Sequence, residues 1–330
     1  MVRRNMERVM QRDRGHGASF KGIIVKGYSG FYYVLEENIK KAENTKEKEL
    51  HEGANSKIWE CSLRGKLRLK KQTFLPGDVV ICIKADEAKG KAVIEEVLPR
   101  RNELIRPAVA NVDQVVIVLA LVKPEPDLQF LDRVMIMALY HGVKPILCFN
   151  KADLVPSGQA TALLDIYEKT GFAVAVISTV KDWGISELKE KLRDKISVLG
   201  GPSGVGKSSL MNALEAKFSL QTGEVSKKTS RGRHTTRHVE LLPLSCGGLL
   251  ADTPGFSRLY LPQELKREEL IKYYPDFLPY HASCKFNTCL HRGEPECCVR
   301  EAVEKGVLDQ GRYKRYVEIL TEVIAQERRY

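Results

Sequence analysis

The sequence predicts a multidomain α/β protein with three folded parts. These are a small OB-type β-barrel, a central domain on a mainly parallel sheet, and a C-terminal helical unit around a cysteine cluster. Three observations carry this. Short β-rich runs separated by turn residues fill Lys21 to Arg101. Beyond Pro107, unbroken apolar runs alternate with amphipathic ones, the pattern of a parallel sheet covered by helices on both faces. Lastly, Cys284, Cys289, Cys297 and Cys298 crowd into one polar stretch. The expected boundaries are a basic arm over 1–17, the barrel over 18–101, the sheet domain over 102–260 and the C-terminal unit over 261–330.

Residues 1–17 hold five arginines, with only Met and Val as apolar side chains, so they read as a basic arm rather than core. The barrel strands are expected in GIIVKGYSGFYYVL, KIWECSLRGKLRLKK, GDVVICIKA and KAVIEEVLPR, with Pro76-Gly77-Asp78 supplying a turn. Glu36 to Ser56 is polar and reads as a long loop. Five short strands in so few residues suit a closed OB-type barrel. In the sheet domain the expected strands are VDQVVIVLAL, VKPILCFN, AVAVIST and KISVLGG. Helical patterns lie between them in LQFLDRVMIMALYHG, ATALLDIYEKTG and ISELKEKLR. A helix over Ser208–Phe218, a loop to Arg237 and the strand pair VELLPLSC and GLLADTPG close the domain. The last helix is expected over Gln310–Glu327. Tyr313, Tyr316, Val317, Leu320, Val323 and Ile324 form its packing face, with Arg312, Lys314 and Arg315 outside.

At 330 residues the chain exceeds a single average core. Its 53 Lys+Arg against 42 Asp+Glu leave a net charge of +11, which favours a polyanionic partner, nucleic acid first. The 43% hydrophobic and 29% charged content excludes a disordered chain and a fibre. The longest apolar run, Val115 to Val122, falls far short of the roughly 20 residues that span a bilayer. The N-terminal stretch lacks the apolar core of a secretory signal. A cytoplasmic monomer away from membranes is therefore the expectation. Clustered cysteines in such a chain point to a metal rather than to disulfides.

Gly201-Pro-Ser203-Gly204-Val205-Gly206-Lys207-Ser208 fits G-x-x-x-x-G-K-S after an apolar strand and before a helix. The glycines let the backbone wrap a phosphate, and the N–H groups running into Ser208 and Ser209 at the helix start face negative charge. Lys207 reaches the β- and γ-phosphates, and the Ser208 hydroxyl binds Mg²⁺. The base is chosen elsewhere. Asn150-Lys151-Ala152-Asp153 ends a strand, where the Asp153 carboxylate can accept from both N1–H and the 2-amino group of guanine. Backbone N–H groups of Ser178 and Thr179, ending the next strand, can meet guanine O6. Asp252-Thr-Pro-Gly255 follows GLLA, with Asp252 placed for a water-mediated Mg²⁺ contact and the Gly255 N–H for the γ-phosphate. Such sheets bind ligands at the carboxyl ends of their strands. The motif order differs from that of common small GTPases: N-K-A-D comes first and D-T-P-G last, the order of a circularly permuted GTPase.

Cys284-x4-Cys289-x-His291-x5-Cys297 offers three thiolates and an imidazole, the closed tetrahedral shell of one structural Zn²⁺. Cys298 is an alternative to Cys297 as the fourth ligand. In SLRGKLRLKK, Arg64, Lys66, Arg68 and Lys70 recur with period two, so on a strand they share one face and form a stripe for RNA phosphates. A solvated edge strand is the other reading of that stripe.

A barrel-like start, a permuted GTPase domain with GPSGVGKSSL and DTPGF, and a Cys/His cluster behind it resemble the ribosome small-subunit-dependent GTPase A family over residues 18–300. The resemblance implies a Mg²⁺-dependent enzyme that binds the small ribosomal subunit and its rRNA. It implies hydrolysis of GTP to GDP and phosphate during late subunit assembly. The family motif G-R-H-T-T appears as Gly232-Arg233-His234-Thr235-Thr236, the first switch, which supplies a threonine to Mg²⁺ and the γ-phosphate. Thr236 is favoured, with Thr235 its alternative. Phe256 stands where Ras-like enzymes place a water-orienting glutamine, so unaided hydrolysis is expected to be slow. His234 is the nearest side chain suited to orient water; its other reading is a solvated switch residue or an RNA contact. Lys207, His234 and Thr236 are thus the candidate catalytic residues. The alternative function is a GTP-regulated RNA-binding protein acting on tRNA or in translation, with slow or negligible hydrolysis.

Overall fold

The computed structural model of the chain describes residues 18–37, 57–69, 73–105, 107–156, 158, 160–215, 239–252 and 261–328. It divides into two compact units. The first takes 18–112, 194–196 and 239–252 of these; the second takes 113–193, 197–215 and 261–328.

The first unit is built on five strands: β1 (Ser19–Tyr28), β2 (Phe31–Glu36), β3 (Ile58–Leu63), β4 (Val79–Asp86) and β5 (Lys91–Val97). They close into a barrel in the order β1-β2-β3-β5-β4. β1 pairs antiparallel with both β2 and β4, and β3 runs parallel to β5. Alternation puts Ile24, Val34, Trp59, Val80 and Ile94 inside, where none is exposed to solvent. β1 crosses β2 closely at Gly22, where a Cβ would lie 2.5 Å from Val34 Cγ1 and 2.6 Å from the Leu35 carbonyl oxygen. Only glycine fits there without moving the neighbouring backbone.

The expected turn at Pro76-Gly77-Asp78 is pinned by charge. Buried Asp78 accepts from Arg100 Nε at 2.7 Å and Nη2 at 2.9 Å, and from the Leu75 N–H at 2.8 Å. A buried carboxylate needs such paired, hydrogen-bonded company. Asn111 Nδ2 then donates to the Gly77 carbonyl at 2.8 Å and fixes the hairpin of β6 (Glu103–Ile105) and β7 (Ala108–Ala110) beside the turn.

One expectation fails in this unit. β3 stops at Leu63, and Gly65–Leu69 forms a short helix, α1. Arg64, Lys66 and Arg68 therefore do not line one strand face. Successive helical residues turn by 100°, so Lys66 and Arg68 diverge while Leu67, 8% exposed, enters the barrel core. Burying that leucine decides the local structure over the charge pattern. Arg64, moreover, is paired with Glu95. Lys70 lies outside the described residues.

The second unit carries a parallel ladder of β8 (Gln114–Ala120), β9 (Lys144–Asn150), β10 (Ala173–Val176) and β11 (Ile196–Gly200). Every residue of β8 is buried, as a strand covered on both faces requires. The covering helices are α2 (Leu128–Tyr140), α3 (Thr161–Glu168), α4 (Ile185–Leu192) and α5 (Lys207–Leu214). Asp127 caps α2 by accepting from the Phe130 N–H at 2.9 Å. The ladder runs in the order β10-β9-β8-β11, and in the first unit β12 (Leu241–Pro243) and β13 (Leu249–Asp252) pair antiparallel with each other. The expected helix over Ser208–Phe218 starts at Lys207 and ends at Leu214, where Glu215 is already extended. Its Phe218 end lies outside the described residues.

A 3-10 segment at Arg267–Tyr273 leads into α6 (Leu278–His281), α7 (Cys298–Glu304) and α8 (Gln310–Glu327). Tyr316, Leu320 and Val323 are buried on α8 as its spacing predicts, together with Ile319. They pack with Tyr274, Phe277 and Ile136 of α2 in one core. Arg312 is a correction: it is 1% exposed, not outside. Its Nε and Nη2 grip Asp276 at 2.7 and 3.0 Å, and its Nη1 reaches Asp132 of α2 at 2.6 Å. Arg315 also turns inward and donates from Nε to Asp132 at 2.7 Å. Tyr167 of α3 donates to the same carboxylate at 3.0 Å. No described helix is long and apolar enough to cross a membrane.

Candidate nucleotide site and metal centre

Three of the motif loops leave the carboxyl ends of strands in one parallel ladder. Gly201–Gly206 follows β11, Asn150–Asp153 follows β9, and Ser178–Thr179 follows β10. Asn150 ties the loops together. Its side chain is 1% exposed; Nδ2 donates to the Val205 carbonyl at 2.9 Å, and Oδ1 accepts from the Thr179 N–H at 3.3 Å. One amide thus fixes the spacing between the phosphate loop and the base loops.

Gly206 shows why the sequence must be glycine there. Its φ is +94°, and a Cβ would sit 2.4 Å from Asn150 Nδ2. Any side chain would expel the amide that joins the loops. From Gly206 the chain enters α5, so Lys207, Ser208 and Ser209 form its first turn and the N–H groups of that turn point back toward the loop. Ser203 and Gly204 are exposed at the loop tip, while Val205 is buried beneath it. Lys207 Nζ donates to the Gly201 and Pro202 carbonyls at 2.8 and 2.7 Å, so its ammonium already lies over the loop.

On the base side, the Asp153 carboxylate accepts from buried Ser178 Oγ at 2.5 Å. Ser178 is itself locked by paired backbone bonds with Trp183, both 3.1 Å. Lys151, with a φ of +64°, reaches across to the Lys123 carbonyl. That loop residue between β8 and α2 has no motif signature in the sequence. The result is an oriented carboxylate for a paired N–H donor at one end and a backbone cradle for phosphate at the other. Asp252 ends β13. Its side chain, Gly255, Phe256 and the segment Gly232–Thr236, which contains His234 and both candidate threonines, lie outside the described residues.

Farther along the second unit, Cys284, Cys289, His291 and Cys297 converge, with their ligand atoms all within 4.8 Å of one another. The spacing brought these four together, and Cys298 is not among them. His291 Nδ1 lies 3.3 Å from Cys297 Sγ and 3.7 Å from Cys284 Sγ. Its Nε2 lies 2.9 Å from His281 Nδ1, an orienting partner of the kind that fixes the tautomer of a metal ligand. His281 is the residue that motif reading missed, since nothing in the spacing distinguishes it. Burial holds the His291 imidazole down at about 4, so it is neutral at pH 7 as a ligand must be. Burial pushes the Cys289 thiol up to about 12. Such thiols become thiolates only beside a cation. A donor set of three sulfurs and one nitrogen, half-buried at Cys284 and buried at Cys289, His291 and Cys297, fits a tetrahedral thiophilic ion.

The loop bearing His291 is braced by charge. Glu294 accepts N–H bonds from Leu290, Arg292 and Gly293 at 2.8, 2.9 and 3.0 Å. Against the desolvation that would raise it, these donors hold its carboxyl down at about 2. Tyr313 Oη donates to the His291 carbonyl at 2.6 Å and fastens the loop to α8.

A family model described as RsgA GTPase matches residues 97–262. The small ribosomal subunit biogenesis GTPase RsgA of Caldanaerobacter subterraneus subsp. tengcongensis is 42% identical over 309 residues, covering 94% of this chain and 97% of that one. The protein of the same description from Moorella thermoacetica is 44% identical over 310 residues, covering 94% and 99%. Among solved structures, YloQ, described as a circularly permuted GTPase, is similar with a TM-score of 0.75 at 36% identity over 96% of this chain and 98% of that one. YjeQ from Thermotoga maritima follows with 0.73 at 34% identity, over 93% and 99%.

Proposed function

The chain belongs to the RsgA GTPase family, and from that premise we propose that it hydrolyses GTP to GDP and phosphate during late assembly of the small ribosomal subunit. The observation that carries the nucleotide part is Asn150, whose one amide holds the phosphate loop and the Thr179 loop at a fixed separation. Asp153, oriented by Ser178, reads the paired N–H donors of guanine. The N–H groups of the 201–209 loop hold the phosphates, while the expected O6 contact is corrected: the Ser178 and Thr179 N–H groups are already given to the Trp183 carbonyl and to Asn150 Oδ1. Lys207 supplies positive charge to the β- and γ-phosphates. Ser208 and Thr236 hold Mg²⁺, which neutralises phosphate charge when bound with GTP. Asp252 and Gly255 complete the phosphate end. The water oxygen attacks the γ-phosphorus, the bond to the β-phosphate oxygen breaks, and GDP and phosphate leave. His234 orients that water, because Phe256 has no group able to do so.

Zn²⁺ is held by Cys284, Cys289, His291 and Cys297 and serves the fold, since the closed donor set leaves no position for substrate. The partner is the small subunit and its rRNA. The names of the relatives and the net charge of +11 support this. We read the working parts as the arm 1–17, the barrel 18–101, the GTPase domain 102–260 and the zinc unit 261–330, in a cytoplasmic monomer. Among the described residues, Lys66 and Arg68, both exposed, are the members of the basic stripe that stay available to RNA.

Single-turnover hydrolysis with and without purified small subunits tests the reading. Wild type alone should turn over far below the typical ~10 s⁻¹, and subunits should accelerate it. His234→Ala should bind GTP and subunits yet lose most of the acceleration. Asp153→Asn should trade GTP for xanthosine triphosphate, with discrimination on the order of 10⁴. Equal wild-type affinity for ATP and GTP defeats the guanine assignment, and full stimulation of His234→Ala removes the histidine.

A further inference from the structure

The cysteine cluster of the second unit holds a fourth sulfur that the metal site does not use. Cys298 opens α7 directly after the ligand Cys297, and its Sγ donates to the Ser283 carbonyl at 3.0 Å. That bond points Cys298 across the loop, toward the residue that precedes ligand Cys284. The Cys284 sulfur lies beside the Cys298 sulfur. Exposure separates the sulfurs into two pairs. Cys289 and Cys297 are buried, whereas Cys284 and Cys298 are both partly open to solvent. An oxidant arriving from water meets the Cys284–Cys298 side first.

We propose that Cys298 and Cys284 form a disulfide under hydroperoxide stress and thereby dismantle the metal centre. The inference rests on the reading that the cluster holds Zn²⁺. Cys298 sulfur attacks a peroxide oxygen, the O–O bond breaks, and Cys298 becomes a sulfenic acid as water leaves. Cys284 sulfur attacks that sulfenic sulfur, the S–S bond forms, the S–O bond breaks, and a second water leaves. Two thiols and one hydrogen peroxide thus give one disulfide and two waters, each sulfur oxidised by one electron. Cys284 is then no longer available as a thiolate, which is the form that binds metal. Three donors remain, and the closed shell opens on the solvent side.

The location makes the effect more than local. Cys284, Cys289 and Cys297 pack within the core that includes Tyr316 and Leu320 of α8 and Ile136 of α2. Loss of a structural ion therefore destabilises the packing of the C-terminal helices on the sheet domain. Cys298 would confer on this chain a peroxide-triggered off switch that four ligands alone do not provide.

The test uses the full-length, zinc-loaded protein treated with hydrogen peroxide. Metal content is measured beforehand, zinc release is followed with a chromogenic chelator, and disulfides are mapped by peptide mass spectrometry. Wild type should lose 2 Da, yield a Cys284–Cys298 peptide and release its ion. Cys298→Ala should keep its starting zinc and release it about tenfold more slowly. Cys246→Ala, a partly exposed cysteine in the other unit, should behave as wild type. Zinc release from Cys298→Ala at the wild-type rate overturns the proposal, as does a disulfide that maps to Cys289 or Cys297. Protein that starts without zinc contradicts the metal assignment instead, and the Cys284–Cys298 peptide still decides the thiol pairing.

Discussion

Replacing Arg312 with methionine should be among the most damaging single changes in the second unit. The guanidinium is 1% exposed and makes three charged hydrogen bonds, two to Asp276 and one to Asp132. Methionine fills similar volume, so the loss is electrostatic rather than a cavity. Asp132 keeps Arg315 Nε at 2.7 Å and Tyr167 Oη at 3.0 Å, and stays satisfied. Asp276, with a side chain 4% exposed, keeps no charged partner among the described residues. Stranding one buried charge costs about 3–5 kcal/mol, even where the intact pair contributes little net stability. At 2–4 °C per kcal/mol for a unit of this size, the melting temperature should fall by roughly 6–20 °C. The neighbouring pair Arg133–Glu322, with side chains 21% and 37% exposed, gives the contrast. Glu322→Gln should cost less than about 1 kcal/mol. Calorimetry of the two single variants and of Arg312→Met with Asp276→Asn completes the comparison. The double variant should recover stability, because the stranded charge has gone. An Arg312→Met protein within about 1 kcal/mol of wild type would falsify the stranded-charge account.

Other expectations follow from the same geometry. Gly206→Ala forces a Cβ to 2.4 Å from Asn150 Nδ2 at a φ of +94°. A broken hydrogen bond and backbone strain of about 1–3 kcal/mol should weaken GTP binding roughly tenfold to a hundredfold and lower the melting temperature by roughly 2–12 °C; fluorescent-nucleotide titration and calorimetry read the two effects. Removing the metal with a chelator should lower the stability of the C-terminal helices while nucleotide affinity persists, which circular dichroism and the same titration separate. Lys66→Glu with Arg68→Glu should weaken small-subunit binding and reduce its salt dependence, by a slope of about 0.9 for each phosphate no longer neutralised. Unchanged slope makes α1 an ordinary solvated surface.

Much of this architecture was legible because its causes are local. Strand alternation around Ile24 and Trp59 gives a barrel, and G-x-x-x-x-G-K-S between an apolar run and a helix gives a phosphate loop. The four metal donors sit within 14 residues, so spacing alone brings them together. α1 was misread because R-G-K-L-R-L satisfies two periods at once. Period two groups the cations, whereas a single helical turn buries Leu67, and only the position of the barrel core decides between them. Asn150 and Gly206 are 56 positions apart, and the clash that forbids a Cβ exists only after both strands have folded.

Arg312 shows a different limit, since its position was visible and its chemistry misled. Arg312, Tyr316, Ile319 and Val323 fall at i, i+4, i+7 and i+11, one stripe of a helix. All four are buried in the structure. An arginine on that stripe demands buried acids, and the chain supplies Asp276 at 36 positions and Asp132 at 180. Asp132 itself interrupts the apolar face of α2, between Leu131 and Val134, where it is 1% exposed. Two charges of opposite sign, each misplaced on an otherwise apolar face, are energetically tolerable only if they meet. Taken as a pair, they place α8 against α2 on sequence grounds. Charge alone ranks arginine as a surface residue, but its place in the helical period identifies this one as core.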